Sequence, residues 1–267
     1  MKNNKYIKNY VYDILSSQSF DNVETVPIQT KQEKEMLLNI MEKIENEEVY
    51  EFYKNLVKNI DITYLKNFVA NAPYIKIIRH NIPKKHILYS GSYYNDRKIV
   101  NIYIDKKSNL YHELLHAASS MFSFDISGFN VNYEEVSFGK GLNEGYTEIL
   151  NQRYFNNKTG AYYFPKKLAI EIEKFYDDKK EMEKDYFNAN IFKVISQLLK
   201  VMSLEEAIDI ITDIDQSIIT EDFDIIDYLK IKGKINFIKT KSKVKKIIKN
   251  TKLLQTIDIK SPKYYNI

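Results

Sequence analysis

Only four histidines occur in the 267 residues, and two of them stand four apart in Tyr111-His112-Glu113-Leu114-Leu115-His116. Spacing of four puts both side chains on one face of a helix, one turn apart, where two imidazoles can reach a single metal ion. The flanks support a helix there. Leu110, Leu114, Leu115 and Ala118 form an apolar stripe, and Ser108 or Asn109 can cap a start near Leu110. Glu113 falls beside the pair, where a carboxylate can take a proton from water activated by the ion without itself ligating it. Chance is a poor explanation, because roughly 0.005 accidental His-Glu-x-x-His matches are expected at this His and Glu content.

Cysteine is absent, which removes disulfides, thiolate metal sites and cysteine nucleophiles and leaves His, Asp and Glu as the metal donors. Two His leave a working metal site one protein ligand short. Asn143-Glu144-Gly145-Tyr146-Thr147-Glu148 offers two carboxylates four apart, again on one helical face. One of them can bind the ion while the other accepts the Nδ1 proton of a ligand His and fixes its tautomer. Gly128, Gly139, Gly141 and Gly145, four of the seven glycines, fall in the stretch joining the two motifs or just after Glu144. Sharp turns and close backbone approach around a compact site would call for them.

The hydrophobic share of 44% suffices for a sizeable core. The pattern predicts an α+β fold: a long helix capped by Thr30 and Glu33 with its apolar stripe over 37–56, then short β-rich runs at 74–79, 87–94 and 98–105. The last two are joined as a hairpin through Asn95-Asp96-Arg97. Helices are expected over 143–154, 166–176 and 190–199, with another from Ser203 and Glu206 acting as a capping box. The parts expected are 1–125, an α/β part with the edge hairpin and the His helix, and 126–267, a helical part with the third ligand and a Lys-rich tail. His80 and His86, without a partner at ligand spacing, read as surface loop residues.

Net charge is only +4, which argues against a nucleic-acid coat. Charge is nevertheless segregated: residues 201–229 hold nine acidic residues and no Lys or Arg, whereas 230–263 hold twelve Lys and one Asp. The two blocks read as facing each other or as solvated; a basic tail could also meet nucleic acid or an anionic membrane. No apolar run follows the basic start to make a signal peptide, and no transmembrane stretch is present, so a cytoplasmic protein is expected, or one exported after loss of a signal this chain does not carry.

His112-Glu113-Leu114-Leu115-His116 followed by Leu142-Asn143-Glu144-Gly145-Tyr146-Thr147-Glu148 resembles the gluzincin metallopeptidases. Leu142 to Gly145 is similar to the L-N-E-G of their aminopeptidase branch, and Asn143-Glu144 with Glu148 to the N-E-x-x-S/T-D/E of the thermolysin branch. The resemblance covers roughly 88–155. It implies a zincin-like fold with a small mixed sheet and hydrolysis of a peptide or protein substrate with Zn2+ as cofactor. It also implies His112, His116 and Glu144 as zinc ligands, Glu113 as general base and Glu148 as a hydrogen-bond acceptor for His112. Gly91 to Asn95 loosely resembles the edge strand on which thermolysin-type enzymes hold substrate. No G-x-M-E-N segment precedes the His pair, which favours an endopeptidase over an aminopeptidase. Family members also use a Tyr or His for the oxyanion; here Tyr133, Tyr163 and Tyr186 are candidates. The alternative is a zinc-containing regulatory domain that binds protein without cleaving it, against which the presence of Glu113 counts.

Overall fold

The computed structural model describes Asn9 and residues 31–81, 90–122, 125–133, 136–157, 161–220 and 223–258. In place of one long helix, the described residues form α1 (Lys31–Met41) and α2 (Glu47–Leu56). The break has a local cause: the Asn46 side chain accepts the amides of Glu48 and Val49 and starts a second helix. Leu37, Met41, Val49, Phe52 and Leu56 reach the core from both pieces. Thr30, the expected cap, lies outside the described residues.

After a short helix, α3 (Lys66–Asn71), come β1 (Lys76–Arg79), β2 (Gly91–Tyr94) and β3 (Ile99–Ile102). β2 and β3 form the expected hairpin, with Tyr94 opposite Ile99. β1 joins β3 in parallel, which makes the sheet mixed, in the order β1-β3-β2 with β2 at an edge. His80 follows β1 and lies in the connecting loop as expected, though half-buried and not at the surface: its Nε2 lies 2.7 Å from Asn101 Oδ1 and its ring stacks on Tyr103. His86 lies outside the described residues.

The metal-motif helix, α4 (Lys107–Ser119), starts slightly earlier than predicted. Neither predicted cap acts as one; Asn109 lies inside the first turn, where its Nδ2 donates to Ile104 O at 2.8 Å. Between α4 and the next helix the chain builds a second antiparallel sheet, β4 (Ile126–Ser127), β5 (Asn130–Tyr133) and β6 (Val136–Phe138). Then follow α5 (Lys140–Phe155), α6 (Tyr163–Glu173), α7 (Lys179–Phe187), α8 (Ile191–Leu199), α9 (Leu204–Ile219) and α10 (Ile225–Asp258). Asn190 caps α8, and Ser203 with Glu206 closes the predicted capping box of α9. The molecule is thus α+β and mostly helical, with two small sheets. Among the described residues no helix is long and apolar enough to cross a membrane.

The start of α5 has no side-chain cap of its own. Asp215 of α9 supplies it from outside, accepting Gly139 N–H at 2.8 Å and Gly141 N–H at 2.7 Å. Burial pushes this carboxyl up to about 7 even though both amide bonds favour its charged form. The contact needs a bare backbone at 141, since a Cβ there would stand 2.4 Å from Ile214 O. Gly141→Ala is therefore expected to destabilise the protein. Forcing two backbones apart costs about 1–3 kcal/mol, more than the helix propensity that Ala gains in a first turn. A denaturation midpoint at or above that of the native chain would contradict this packing.

Candidate metal centre

α5 packs across α4, and the crossing brings the two sequence motifs together. His112 and His116 point from one face of α4, and Glu144 points at them from the second turn of α5. The three atoms that meet form a nearly equilateral triangle. His112 Nε2 is 3.1 Å from Glu144 Oε2, His116 Nε2 is 3.2 Å from the same oxygen, and the two Nε2 atoms are 3.1 Å apart. Ligands bound at 2.0–2.1 Å around a tetrahedral divalent ion stand about 3.3–3.4 Å apart, close to these edges. Two imidazole nitrogens and a carboxylate oxygen brought this close are donor atoms that one cation can share once the imidazoles give up their protons there. The His-His-Glu group can therefore hold a metal ion.

The groups behind the ligands hold them in place. Glu148, fully buried, sets Oε2 3.3 Å from His112 Nδ1. Asn143 accepts Phe129 N–H through Oδ1 at 3.0 Å and brings Nδ2 to 3.3 Å from His116 Nδ1. The end of α4 is tied down as well. The carbonyl of His116 accepts the hydroxyls of Ser119, Ser120 and Ser127, and Asn71 Nδ2 donates to the carbonyls of Ala117 and Ser120. Farther along α5, Arg153 reaches Glu173 of α6 and Glu183 of α7, which fixes the helix against the C-terminal layer.

No family model, curated protein or solved structure matches the chain. The electrostatics of the site can be followed residue by residue. Burial opposes a proton on His112, but hydrogen bonds to Glu144 and Glu148 overcome it and push the imidazole up to about 10. Glu144 is desolvated, yet His116 and His112 hold it well below the usual carboxylate range. Both shifts express one fact: buried carboxylates surround the imidazoles and demand positive charge, which protons supply when no cation does. Glu113 behaves differently, because burial pushes its carboxyl up against the attraction of the two His. It lies under the edge strand, where a Cβ at Gly91 would come within 2.9 Å of Glu113 Oε1.

The site opens into a cavity of about 510 Å³ whose lining includes Ser90, Gly91, His112, Glu113, Glu144 and Tyr162. Tyr162 is a residue that sequence reasoning missed. Its backbone is left-handed (φ 52), an uncommon conformation for a bulky residue. That turn lays the ring parallel to His112, with centroids 5.4 Å apart and planes at 14°. The negative charge of Glu144, to which its hydroxyl is hydrogen-bonded, raises its pKa. Two of the three tyrosines picked from sequence are engaged elsewhere: Tyr163 is exposed with its hydroxyl on Lys167 Nζ, and Tyr186 is fully buried with its hydroxyl 2.6 Å from Thr147 Oγ1. The Tyr133 side chain lies outside the described residues.

Glu148→Ala removes the acceptor behind His112 and is expected to weaken metal affinity by about 10–100-fold. Competition with a chelating dye measures this; unchanged affinity would show that Glu148 does not orient the ligand.

Proposed function

We propose that the protein is a zinc-dependent endopeptidase of zincin-like plan. The observation that carries this reading is the triangle of His112, His116 and Glu144 with a buried carboxyl, Glu113, beside it at the floor of a cavity bordered by an open strand edge. His112, His116 and Glu144 would hold the ion. Two imidazoles and one carboxylate are a donor set that zinc accepts, and when bound it supplies Lewis acidity toward a carbonyl oxygen and toward water.

The chain's own residues divide the remaining work. Among the described residues β2 has a strand neighbour on one side only, and on its other edge an extended peptide could add as a further strand. Glu113 is the general base: its raised pKa suits a group that takes a proton from the attacking water and passes it to the nitrogen of the departing amine. The Tyr162 hydroxyl, which is hydrogen-bonded to Glu144 in the same cavity, is the donor for the carbonyl oxygen as charge develops there. Glu148, a carboxylate that accepts from Nδ1, keeps the His112 imidazole aimed throughout.

Glu113→Gln is expected to retain the metal and to lose hydrolysis of a casein or peptide-library substrate by about 10²–10⁴-fold. A variant with full metal content and most of its activity would remove Glu113 from this role. Tyr162→Phe should lower kcat by about 10²–10³-fold with KM and metal content little changed. A native-like kcat would assign the oxyanion to another donor.

A further inference from the structure

α10 carries two apolar faces, and among the described residues the core covers one of them. At 34 residues it is about 51 Å long. Tyr228, Ile231, Ile235 and Ile238 are buried on one side, against α6 and α9. On the opposite side Ile226, Leu229 and Phe237 are 57%, 55% and 69% exposed, at i, i+3 and i+11. Gly233 continues that stripe at i+7, and a Cβ there would meet nothing within 4 Å. In sequence the period runs on through Val244, Ile247 and Ile248 within the same helix.

Lysines border this outer stripe on both sides. Lys230, Lys234 and Lys241 follow one flank, and Lys232 and Lys243 the other. Lys230 and Lys234 pair with Asp227 and Asp213 at 3.0 and 2.5 Å yet keep side chains 67% and 56% exposed. From 230 to 258 the sequence has ten Lys and a single acidic residue, Asp258. A narrow apolar stripe between two lysine rows, on a helix too charged to span a bilayer, is the chemistry of a helix lying in a lipid interface.

We propose that the outer face of α10 docks in the plane of an anionic lipid bilayer, with Ile226, Leu229 and Phe237 among the acyl chains and the flanking lysines at the headgroups. Charge complementarity selects this occupant. A second copy of the chain meeting along the same stripe would set lysine rows against lysine rows. A nucleic acid would engage the lysines but leave exposed aliphatic side chains and a phenyl ring without partners. Docking is independent of the metal site, since no residue of the stripe belongs to the cavity.

The test is flotation of the full chain with phosphatidylcholine vesicles, with and without phosphatidylserine. Binding is expected only to vesicles containing phosphatidylserine, and high salt should weaken it. The double variant Leu229→Ser/Phe237→Ser should partition at least about tenfold less. Each of Lys241→Gln and Lys243→Gln should lower partitioning about fivefold. All four positions are exposed, and an unchanged circular-dichroism melt verifies that the variants are folded. The proposal is overturned if the native chain stays with the aqueous phase at low salt, or if the serine variant floats like the native protein. It is equally overturned if the native chain does not float but either retards duplex DNA or sediments as a dimer that the serine variant dissolves.

Discussion

Three carboxylates, Glu113, Glu144 and Glu148, share the space around two imidazoles on one helix, and water has little access to any of them. Unpaired buried carboxylates are costly, so the local structure stands only if positive charge is present among them. A metal ion at the meeting point of His112 Nε2, His116 Nε2 and Glu144 Oε2, which this group can hold, would provide it within a single set of bonds. The crossing of α4 and α5, the ties at the end of α4 and the Asn143 contacts then all serve one end: keeping those donor atoms within about 3.2 Å of one another.

The rest of the fold acts as clamps on that crossing. Asp215 holds the first turn of α5 from α9, and Arg153 holds its last turns through Glu173 and Glu183. The mixed sheet lays its edge strand over Glu113, and the left-handed turn at Tyr162 brings a phenol ring over His112. The His-His-Glu group, the edge strand and the phenol ring thus come from separate segments, joined only in the folded state.

What the sequence disclosed and what it hid divide by range. His112, Glu113, His116, Glu144 and Glu148 are legible because helical period alone fixes which of them share a face, and their residue types name the chemistry. The β2–β3 hairpin and the caps at Asn190 and Ser203 are legible for the same local reason. The Asp215 cap is not, because it reaches α5 from another helix more than seventy residues away. Tyr162 is one of 22 tyrosines, and only its turn sets it apart. The strands of the second sheet are two to four residues long, too short for an alternation to register. The split between α1 and α2 turned on the Asn46 side chain, whose capping bonds outweigh the continuity of the apolar stripe around it.

The central claim is that His112, His116 and Glu144 form one metal site. Its most direct measurement is the metal content of the protein purified without added metal, for the native chain and for Glu144→Ala side by side. The account predicts about one zinc ion per native chain and its loss or sharp weakening in the variant. A native chain that fails to retain zinc even when zinc is offered at neutral pH would contradict it, and the two histidines would then be structural.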